Sequence, residues 1–198
     1  MTTIAEKENL KLKTAESQKA DGRTACLWKT KEMYNMCIIA LEDIKFSSVS
    51  AEDIQFGYNL WKLTQKEYLE KIISEWNDEF QLKNYKDERI RNLENNYIIK
   101  YKENSIGWME YELLKDYIYI NQLHIIPEYQ NKGIGTKILN EYFVYGKKEN
   151  KNIFLEVLQG NDRALEYYKR IGFNEYDECS ISKTLVYEIN RVNQNDHI

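Results

Sequence analysis

The sequence is poor in the residues that form disulfides, bind metals or break secondary structure. Its 198 residues include 3 cysteines, 2 histidines and 1 proline. The cysteines (Cys26, Cys37 and Cys179) are odd in number, far apart in the chain and without a C-x-x-C spacing. This pattern disfavours a disulfide framework and a zinc site. We therefore expect no metal in the protein.

Long apolar runs are also absent from the sequence. No segment approaches the roughly 20 apolar residues that a membrane-spanning helix needs, and the N-terminal stretch has no apolar core of the kind found in secretory signals. Hydrophobic residues make up 42% and charged residues 30%, a balance typical of globular domains. The expectation is a cytoplasmic protein that does not enter membranes.

No excess of positive charge runs through the chain. With 28 basic and 32 acidic side chains the net charge is −4, which argues against general binding of nucleic acids. An anionic ligand would need a local site. Residues 129–172 offer one, because eight basic side chains there outnumber five acidic ones. The basic residues are Lys132, Lys137, Lys147, Lys148, Lys151, Arg163, Lys169 and Arg170.

The length predicts one domain with polar ends. Residues 1–34 are polar and without a sustained period, which indicates a leader that is weakly structured or helical. Residues 35–190 form the predicted domain, beginning with the short apolar run NMCIIALE, which suits a strand. Residues 191–198 are predicted to be a loose C-terminal tail.

Capping patterns predict the helices that follow. Ser50 and Asp53 mark a helix start, and the apolar positions after them suit a helix to about Lys62. The pattern T-Q-K-E from Thr64 then predicts the start of a second helix that reaches Trp76. The next segment, NDEFQLKNYKDERIRNL, predicts a turn and another short helix.

The middle of the chain alternates in the manner of strands. The segment NNYIIKYKENSIGWMEYELLKDYIYINQLHI predicts three strands separated by turns at ENS and KD, and hence an antiparallel meander. In the third strand Ile118, Ile120 and Gln122 are expected to share one face, with the alternation changing near Leu123. Pro127 ends this strand because it has no N–H to donate.

Two helices and a buried strand are predicted in the last third. GIGTKILNEYFVYGKKEN has apolar residues at helical spacing, and NIFLEVL suits a buried strand. NDRALEYYKRIGF predicts a helix capped by Asn161 and stopped by Gly172. The segment after it supplies one or two closing strands.

The segment between the third strand and its helix has the features of an anion-binding turn. The first turn of a helix exposes backbone N–H groups without internal partners. Gly133 and Gly135 let an anion approach them closely, Thr136 adds a donor, and Gln130 and Lys132 flank the same place. The spacing alone is also compatible with a glycine-stabilised connection that binds nothing. It matches neither the P-loop nor the dinucleotide fingerprint.

Two segments carry a family resemblance. LHIIPEYQNKGIGTKIL resembles the acetyl-coenzyme A signature of the GNAT superfamily of N-acetyltransferases, and LEVLQGNDRALEYYKRIGF resembles a later motif of that superfamily. The motifs occur in the right order, within a resemblance that covers residues 35–189. It implies an α+β fold, an α/β/α sandwich. Its mixed, mostly antiparallel sheet of six or seven strands is splayed between strands 4 and 5, with helices on both faces.

The resemblance also implies a reaction and a binding site. The reaction is transfer of an acetyl group from acetyl-CoA to a primary amine, which is a small-molecule amine or a protein N-terminus. A coenzyme A-binding module without catalysis is the alternative, and either protein could be a monomer or a homodimer. The cofactor-binding residues implied are Leu123, His124, Ile125, Gln130, Asn131, Lys132, Gly133, Ile134, Gly135, Thr136, Asn161 and Tyr168.

Two residues are catalytic candidates. By the resemblance, Tyr168 matches a tyrosine that in many members of the superfamily protonates or hydrogen-bonds the coenzyme A sulfur. It could instead pack its helix onto the sheet, a role that also suits Tyr167. Glu156 matches a glutamate that serves as base in relatives that modify protein N-termini. Desolvation would raise the pKa of this carboxyl, whereas a salt bridge or an exposed position is an equal alternative. His124 could titrate near neutrality, or be a satisfied histidine of the strand.

Overall fold

The computed structural model describes residues 44–73 and 75–189. The predicted leader of residues 1–34, the strand expected from residue 35 and the tail of residues 191–198 lie outside these ranges. The described residues belong to one compact unit.

Seven strands form a single mixed sheet, ordered β1-β2-β3-β4-β5-β7-β6. All neighbours are antiparallel except β4 and β5, which are parallel. The predicted meander is confirmed as β2, β3 and β4. The strands are β1 (Ile44–Ser48), β2 (Asn96–Tyr101), β3 (Asn104–Leu113), β4 (Tyr117–Ile125), β5 (Asn152–Leu158), β6 (Asn174–Glu178) and β7 (Ser182–Tyr187).

Helices cover both faces of the sheet, as predicted. They are α1 (Ile54–Leu69), α2 (Asp78–Arg91), α3 (Ile134–Glu149) and α4 (Asp162–Arg170). On one face α1 lies so close to β3 that a Cβ added to Gly57 would be 2.7 Å from the Trp108 ring. On the other face Tyr142 of α3 packs edge-on against Tyr111, with 5.1 Å between ring centroids. The sheet therefore lies between helices on both of its faces.

The first helix is longer than predicted. Its start is confirmed, because the Asp53 carboxylate accepts from the Ser50 N–H at 2.8 Å. However, α1 continues past Lys62 to Leu69, so the predicted second helix from Thr64 is wrong. The Thr64 hydroxyl donates to the Leu60 carbonyl at 3.0 Å instead of capping a new helix.

A bulge in β4 changes which residues face which helices. Glu110 pairs with Gln122 and Tyr111 pairs with Ile120, so Asn121 is an extra residue without its own partner on β3. Ile120 therefore faces α3, whereas Gln122 faces α2 and accepts from the Tyr85 hydroxyl at 3.3 Å. The predicted grouping of Gln122 with Ile120 is wrong, because the alternation changes at Asn121 rather than near Leu123.

The parallel pair β4 and β5 separates after a short contact. Pairing runs from Tyr117 with Asn152 to Ile120 with Leu155, and both strands then continue unpaired with each other. The bulge at Asn121 directly follows the last β4–β5 pair. Because an inserted residue bends and twists its strand, the bulge turns β4 away from β5 at this point. The predicted splay between strands 4 and 5 is confirmed, and it opens the sheet next to the start of α3.

Candidate active site

A cavity of about 1050 Å³ occupies the gap between the separated strands. It extends along the C-terminal half of α1, the ends of β4 and β5, the start of α3 and one side of α4. Both catalytic candidates, Glu156 and Tyr168, line it. Its volume is close to the upper limit, about 1000 Å³, of pockets that hold cofactors and other small molecules.

The end of β4 directs backbone groups into this gap. The Ile126 N–H bonds the Ile106 carbonyl at 2.9 Å, and backbone groups alternate in direction along a strand. His124 therefore directs its backbone toward β3, whereas Leu123 and Ile125 direct theirs into the gap. Of the three residues predicted to pair with a ligand, two thus have suitably directed backbone groups.

The turn before α3 has an arrangement that fits an anion. Gly133 has a φ of 79° and caps the helix in the left-handed conformation. Its carbonyl accepts from the Lys137 N–H at 2.9 Å. The N–H groups of residues 133–136 make no hydrogen bond to any residue within 44–73 or 75–189. A Cβ built on Gly133 would have no atom within 4 Å. Free amides at a helix start, facing open space, favour a phosphate ligand.

Gly135 leaves a narrow space beside that turn. A Cβ at this position would lie 3.3 Å from the Tyr167 hydroxyl and 3.7 Å from Ile125 Cδ1. The same Tyr167 hydroxyl is 3.2 Å from Thr136 Oγ1. The sequence predicted only a packing role for Tyr167. Tyr167 and Tyr168 are neighbours on one helix, so their spacing does not show which hydroxyl contacts the turn.

Side chains brace the turn from both ends. The Gln130 amide donates to the Ile125 carbonyl at 2.8 Å, and Arg163 Nη2 donates to Asn131 Oδ1 at 3.2 Å. Asn161 caps α4 as predicted, because its Oδ1 accepts from the Ala164 N–H at 3.2 Å. Lys132 is exposed beside the turn, and its Nζ lies 5.1 Å from the centre of the Tyr129 ring.

Tyr168 holds a phenol at the wall of the cavity. Burial, and next the neighbouring Tyr167, raise the pKa of Tyr168 above its usual value. Its ring packs edge-on against Phe173 with 5.6 Å between centroids. Within the described ranges its hydroxyl makes no hydrogen bond. The group therefore stays protonated at neutral pH and can donate to a ligand atom.

Glu156 is an exposed carboxylate held by two hydroxyl groups. Tyr119 donates to Oε1 at 2.7 Å and Ser182 donates to Oε2 at 2.8 Å. Burial and then the Glu156 charge raise the pKa of Tyr119, so this phenol remains a donor. Because Glu156 is exposed, the desolvation that would strengthen it as a base is not observed. Tyr119 and Ser182 orient the carboxylate. The sequence did not predict them, because their positions beside Glu156 depend on how β4 and β7 pair with β5.

His124 is buried and neutral rather than poised near neutrality. Only 9% of the residue is exposed, and its Nδ1 lies 3.0 Å from Thr64 Oγ1 on α1. Burial, and next the positive charge of Arg89, lower the pKa of His124 to about 3. Arg89 is itself buried and paired with Glu110 at 3.2 Å. Of the two alternatives for His124, a satisfied histidine of the strand fits these contacts, and titration near neutrality does not.

Acidification is expected to destabilise the protein through His124. Between a pKa of about 3 in the folded chain and about 6.5 in the unfolded chain, the unfolded state binds more protons. The free energy of unfolding should therefore fall below about pH 6.5, by up to about 1.4 kcal/mol per pH unit. Urea unfolding at pH 7.5, 6 and 5 measures this slope.

The variant His124→Gln should have a shallower slope than the parent chain. His197→Gln, at the other histidine of the sequence, is the matched control. Equal slopes in the parent chain and His124→Gln would contradict the assignment of a depressed pKa to His124.

Residues 44–73 and 75–189 contain no group of three His, Cys, Asp or Glu side chains that could share a metal ion. Cys179 instead accepts from the N–H groups of Ile181 and Ser182, each at 3.4 Å, in the β6–β7 turn. The helices of the described chain are too short or too polar to cross a bilayer.

Segments of the chain are similar to named acetyltransferases. Over 58 residues it is 38% identical to an uncharacterized N-acetyltransferase of Methanocaldococcus jannaschii, covering 28% of this chain and 25% of the relative. Over 63 residues it is 35% identical to thialysine N-epsilon-acetyltransferase of Bos taurus, covering 31% and 37%. Over 58 residues it is 36% identical to N-alpha-acetyltransferase 50 of Danio rerio, covering 28% and 34%. The match thus spans well under half the length of each curated relative.

The fold is shared with solved acetyltransferases. PaiA N-acetyltransferase of Thermoplasma acidophilum, solved with coenzyme A, has a TM-score of 0.56 at 20% identity over 73% of this chain and 98% of its own. Naa50 of Arabidopsis thaliana, solved with the bisubstrate analogue CoA-Ac-MVNAL, has a TM-score of 0.51 at 21% identity over 73% and 97%. The sequence model of the Acetyltransferase (GNAT) family matches residues 58–173, more than half of the chain. The chain therefore belongs to the GNAT acetyltransferase family.

Proposed function

We propose that the chain transfers an acetyl group from acetyl-CoA to a primary amine by direct attack in a ternary complex. One observation carries this proposal: the free amides of residues 133–136 open onto the same cavity that Glu156 and Tyr168 line. An anion-binding turn and acid–base side chains at one gap are what transfer from a phosphate-bearing thioester requires. Family membership supports the same reaction.

The cofactor would be held by backbone groups at two places. Its pyrophosphate would accept hydrogen bonds from the amides of residues 133–136. Its pantetheine arm would follow the backbone of Leu123 and the N–H of Ile125, whose carbonyl already accepts from Gln130. Gln130 and Asn131 keep this turn in place through their side-chain contacts with Ile125 and Arg163. When bound, acetyl-CoA supplies an acetyl group activated as a thioester.

Two side chains that line the cavity, Glu156 and Tyr168, would handle the proton transfers. An amine attacks only when it is neutral, and Glu156 accepts its proton directly or through one water. The hydrogen bonds from Tyr119 and Ser182 fix the direction of the carboxylate and stabilise its charged form. Tyr168 keeps its proton at the phenolic oxygen and donates a hydrogen bond to the departing sulfur. Its raised pKa favours this bond over complete loss of the proton.

The acceptor would enter beside α1, where Trp61, Gln65 and Tyr68 line the cavity. The named relatives include a thialysine acetyltransferase and an N-alpha-acetyltransferase, so a small-molecule amine and a protein N-terminus are the two acceptor classes. Calorimetry with acetyl-CoA, followed by release of free thiol across diamines, amino acids and short peptides, tests the proposal. Acceptor-dependent thiol release supports catalysis. Tight binding with no release from any amine would support a coenzyme A-binding module instead.

Removing the Tyr168 hydroxyl should slow turnover without weakening cofactor binding. We expect Tyr168→Phe to lower kcat on the order of 100-fold, the usual scale for loss of an acid–base group, because the sulfur then departs without a hydrogen bond. The dissociation constant for acetyl-CoA should change by less than about two-fold, since the ring and its packing on Phe173 remain. Steady-state kinetics and calorimetry separate the two effects.

Tyr167→Phe is the matched control, because it removes a hydroxyl from the adjacent residue that contacts Thr136. Its kcat should stay close to that of the parent chain. Unchanged turnover in Tyr168→Phe would remove the role given to this phenol.

A further inference from the structure

Arg163 places a positive charge over the turn before α3. This residue lies in the first turn of α4 and is exposed. Its Nη2 is 3.2 Å from Asn131 Oδ1 and 3.4 Å from Gln130 Oε1, both neutral amide oxygens. Within residues 44–73 and 75–189 no carboxylate forms an ion pair with Arg163. Its charge is therefore oriented by the turn but not neutralised there.

Gln130 is neutral and holds the turn in place, whereas the positive charge comes from Arg163. Its amide nitrogen already donates to the Ile125 carbonyl at 2.8 Å, while its oxygen faces Arg163. The side chain thus links the end of β4 to the start of α4. A guanidinium carries five N–H donors, and the contacts with Gln130 and Asn131 occupy only Nη2. The remaining donors are available to a ligand at the rim of the cavity, which Arg163 also lines.

A phosphate fits this arrangement better than a neutral group does. The planar fork of an arginine matches phosphate oxygens, and charge-assisted hydrogen bonds of this kind are about twice as strong as neutral ones. The free amides of residues 133–136 supply partial positive charge from the helix start on the same side. The two sources of positive potential come from different elements, α3 and α4, and converge on one turn in a chain of net charge −4.

We propose that Arg163 binds a phosphate of coenzyme A, a role that rests on the proposed function above. Coenzyme A carries two kinds of phosphate, the pyrophosphate and a separate 3′-phosphate on its ribose. A guanidinium can bind either phosphate. The two possible contacts predict different effects of an Arg163 substitution on binding of coenzyme A that lacks the 3′-phosphate.

Calorimetry of the full chain with coenzyme A and with 3′-dephospho-coenzyme A tests this assignment. Arg163→Gln should raise the dissociation constant for coenzyme A about 10-fold, the scale of one lost charge-assisted hydrogen bond. If Arg163 contacts the 3′-phosphate, its replacement leaves the affinity for the dephospho form unchanged. If it contacts the pyrophosphate, both ligands weaken equally. Lys147→Gln, an exposed charge in the last turn of α3, is the control for net charge and should bind both ligands like the parent chain.

Salt dependence separates a phosphate contact from simple bracing of the turn. A charge contact is screened by salt, so Arg163→Gln should bind coenzyme A with a flatter dependence on salt than the parent chain. Arg163→Lys, which keeps the charge, should restore most of the slope. Parent-like affinity in Arg163→Gln would overturn the proposal, and so would weaker binding with an unchanged salt slope. Failure of the parent chain to bind either ligand would instead overturn the proposed function, and the role of Arg163 with it.

Discussion

Replacing Gly135 with Asp is expected to weaken acetyl-CoA binding by about 100-fold or more. The new side chain would point into a space where its Cβ alone is 3.3 Å from the Tyr167 hydroxyl. Its carboxylate would lie at the amides that are proposed to bind the phosphates, so steric and charge repulsion both oppose binding. Loss of two charge-assisted hydrogen bonds accounts for an effect of this size. Isothermal titration calorimetry measures the effect.

Stability should not fall with affinity in this variant. Gly135 lies in the first turn of α3, where an acidic side chain interacts favourably with the helix dipole and replaces a glycine of low helix propensity. The melting temperature should therefore be at least that of the parent chain. Asn140→Asp adds the same charge at an exposed position of the same helix and should bind normally. Parent-like affinity in Gly135→Asp would place the phosphates elsewhere.

Replacing Glu156 with Gln is expected to lower kcat by about 100-fold to 1,000-fold, the range for loss of a general base. A glutamine keeps the size of the side chain and one oxygen that can accept from Tyr119 or Ser182, but it cannot take a proton from an ammonium group. The residual activity should rise steeply with pH, because the amine must then lose its proton to water. Rates measured from pH 6.5 to 9.5 with one fixed acceptor show both effects.

Glu166→Gln is the control for Glu156→Gln. Glu166 is also exposed and lines the cavity from α4, so its replacement changes the charge equally. Its kcat should remain within about two-fold of the parent value, the range of a surface change without a chemical role. If Glu156→Gln kept the parent rate and pH profile, the base would have to be water or another group.

The elements with strong local signals were predictable from the sequence. Alternating β-branched and aromatic residues marked the meander of β2 to β4, and two glycines after Pro127 marked the turn before α3. Asn161 is a cap in the structure because its side chain and its spacing from the next N–H are local properties. The two motifs therefore located the turn and the start of α4 before any tertiary contact was known.

Features that depend on contacts between distant residues were not predictable. The pattern at Thr64 fits a helix start, but the observed helix runs through this residue to Leu69, and the Thr64 hydroxyl donates to the Leu60 carbonyl. The change of face at Asn121 depends on how β4 pairs with β3. His124 is neutral because α1 covers it and Arg89 of α2 lies near it. Each of these outcomes is set by a partner far along the chain, which a local pattern cannot supply.

Long-range geometry also brought residues to the site that spacing did not single out. Arg163 reaches Asn131, 32 positions earlier in the chain, and Tyr119 reaches Glu156, 37 positions later. The sequence had shown Arg163 only as one of several basic residues. The parallel pairing of β4 with β5 is what places a phenol beside the candidate base.

A crystal structure of the protein with coenzyme A tests the central claim most directly. The account predicts that pyrophosphate oxygens lie about 3 Å from the backbone nitrogens of residues 133–136, at hydrogen-bonding distance, with the pantetheine arm between the ends of β4 and β5. A pyrophosphate bound away from this turn, with those amides still unpaired, would contradict it.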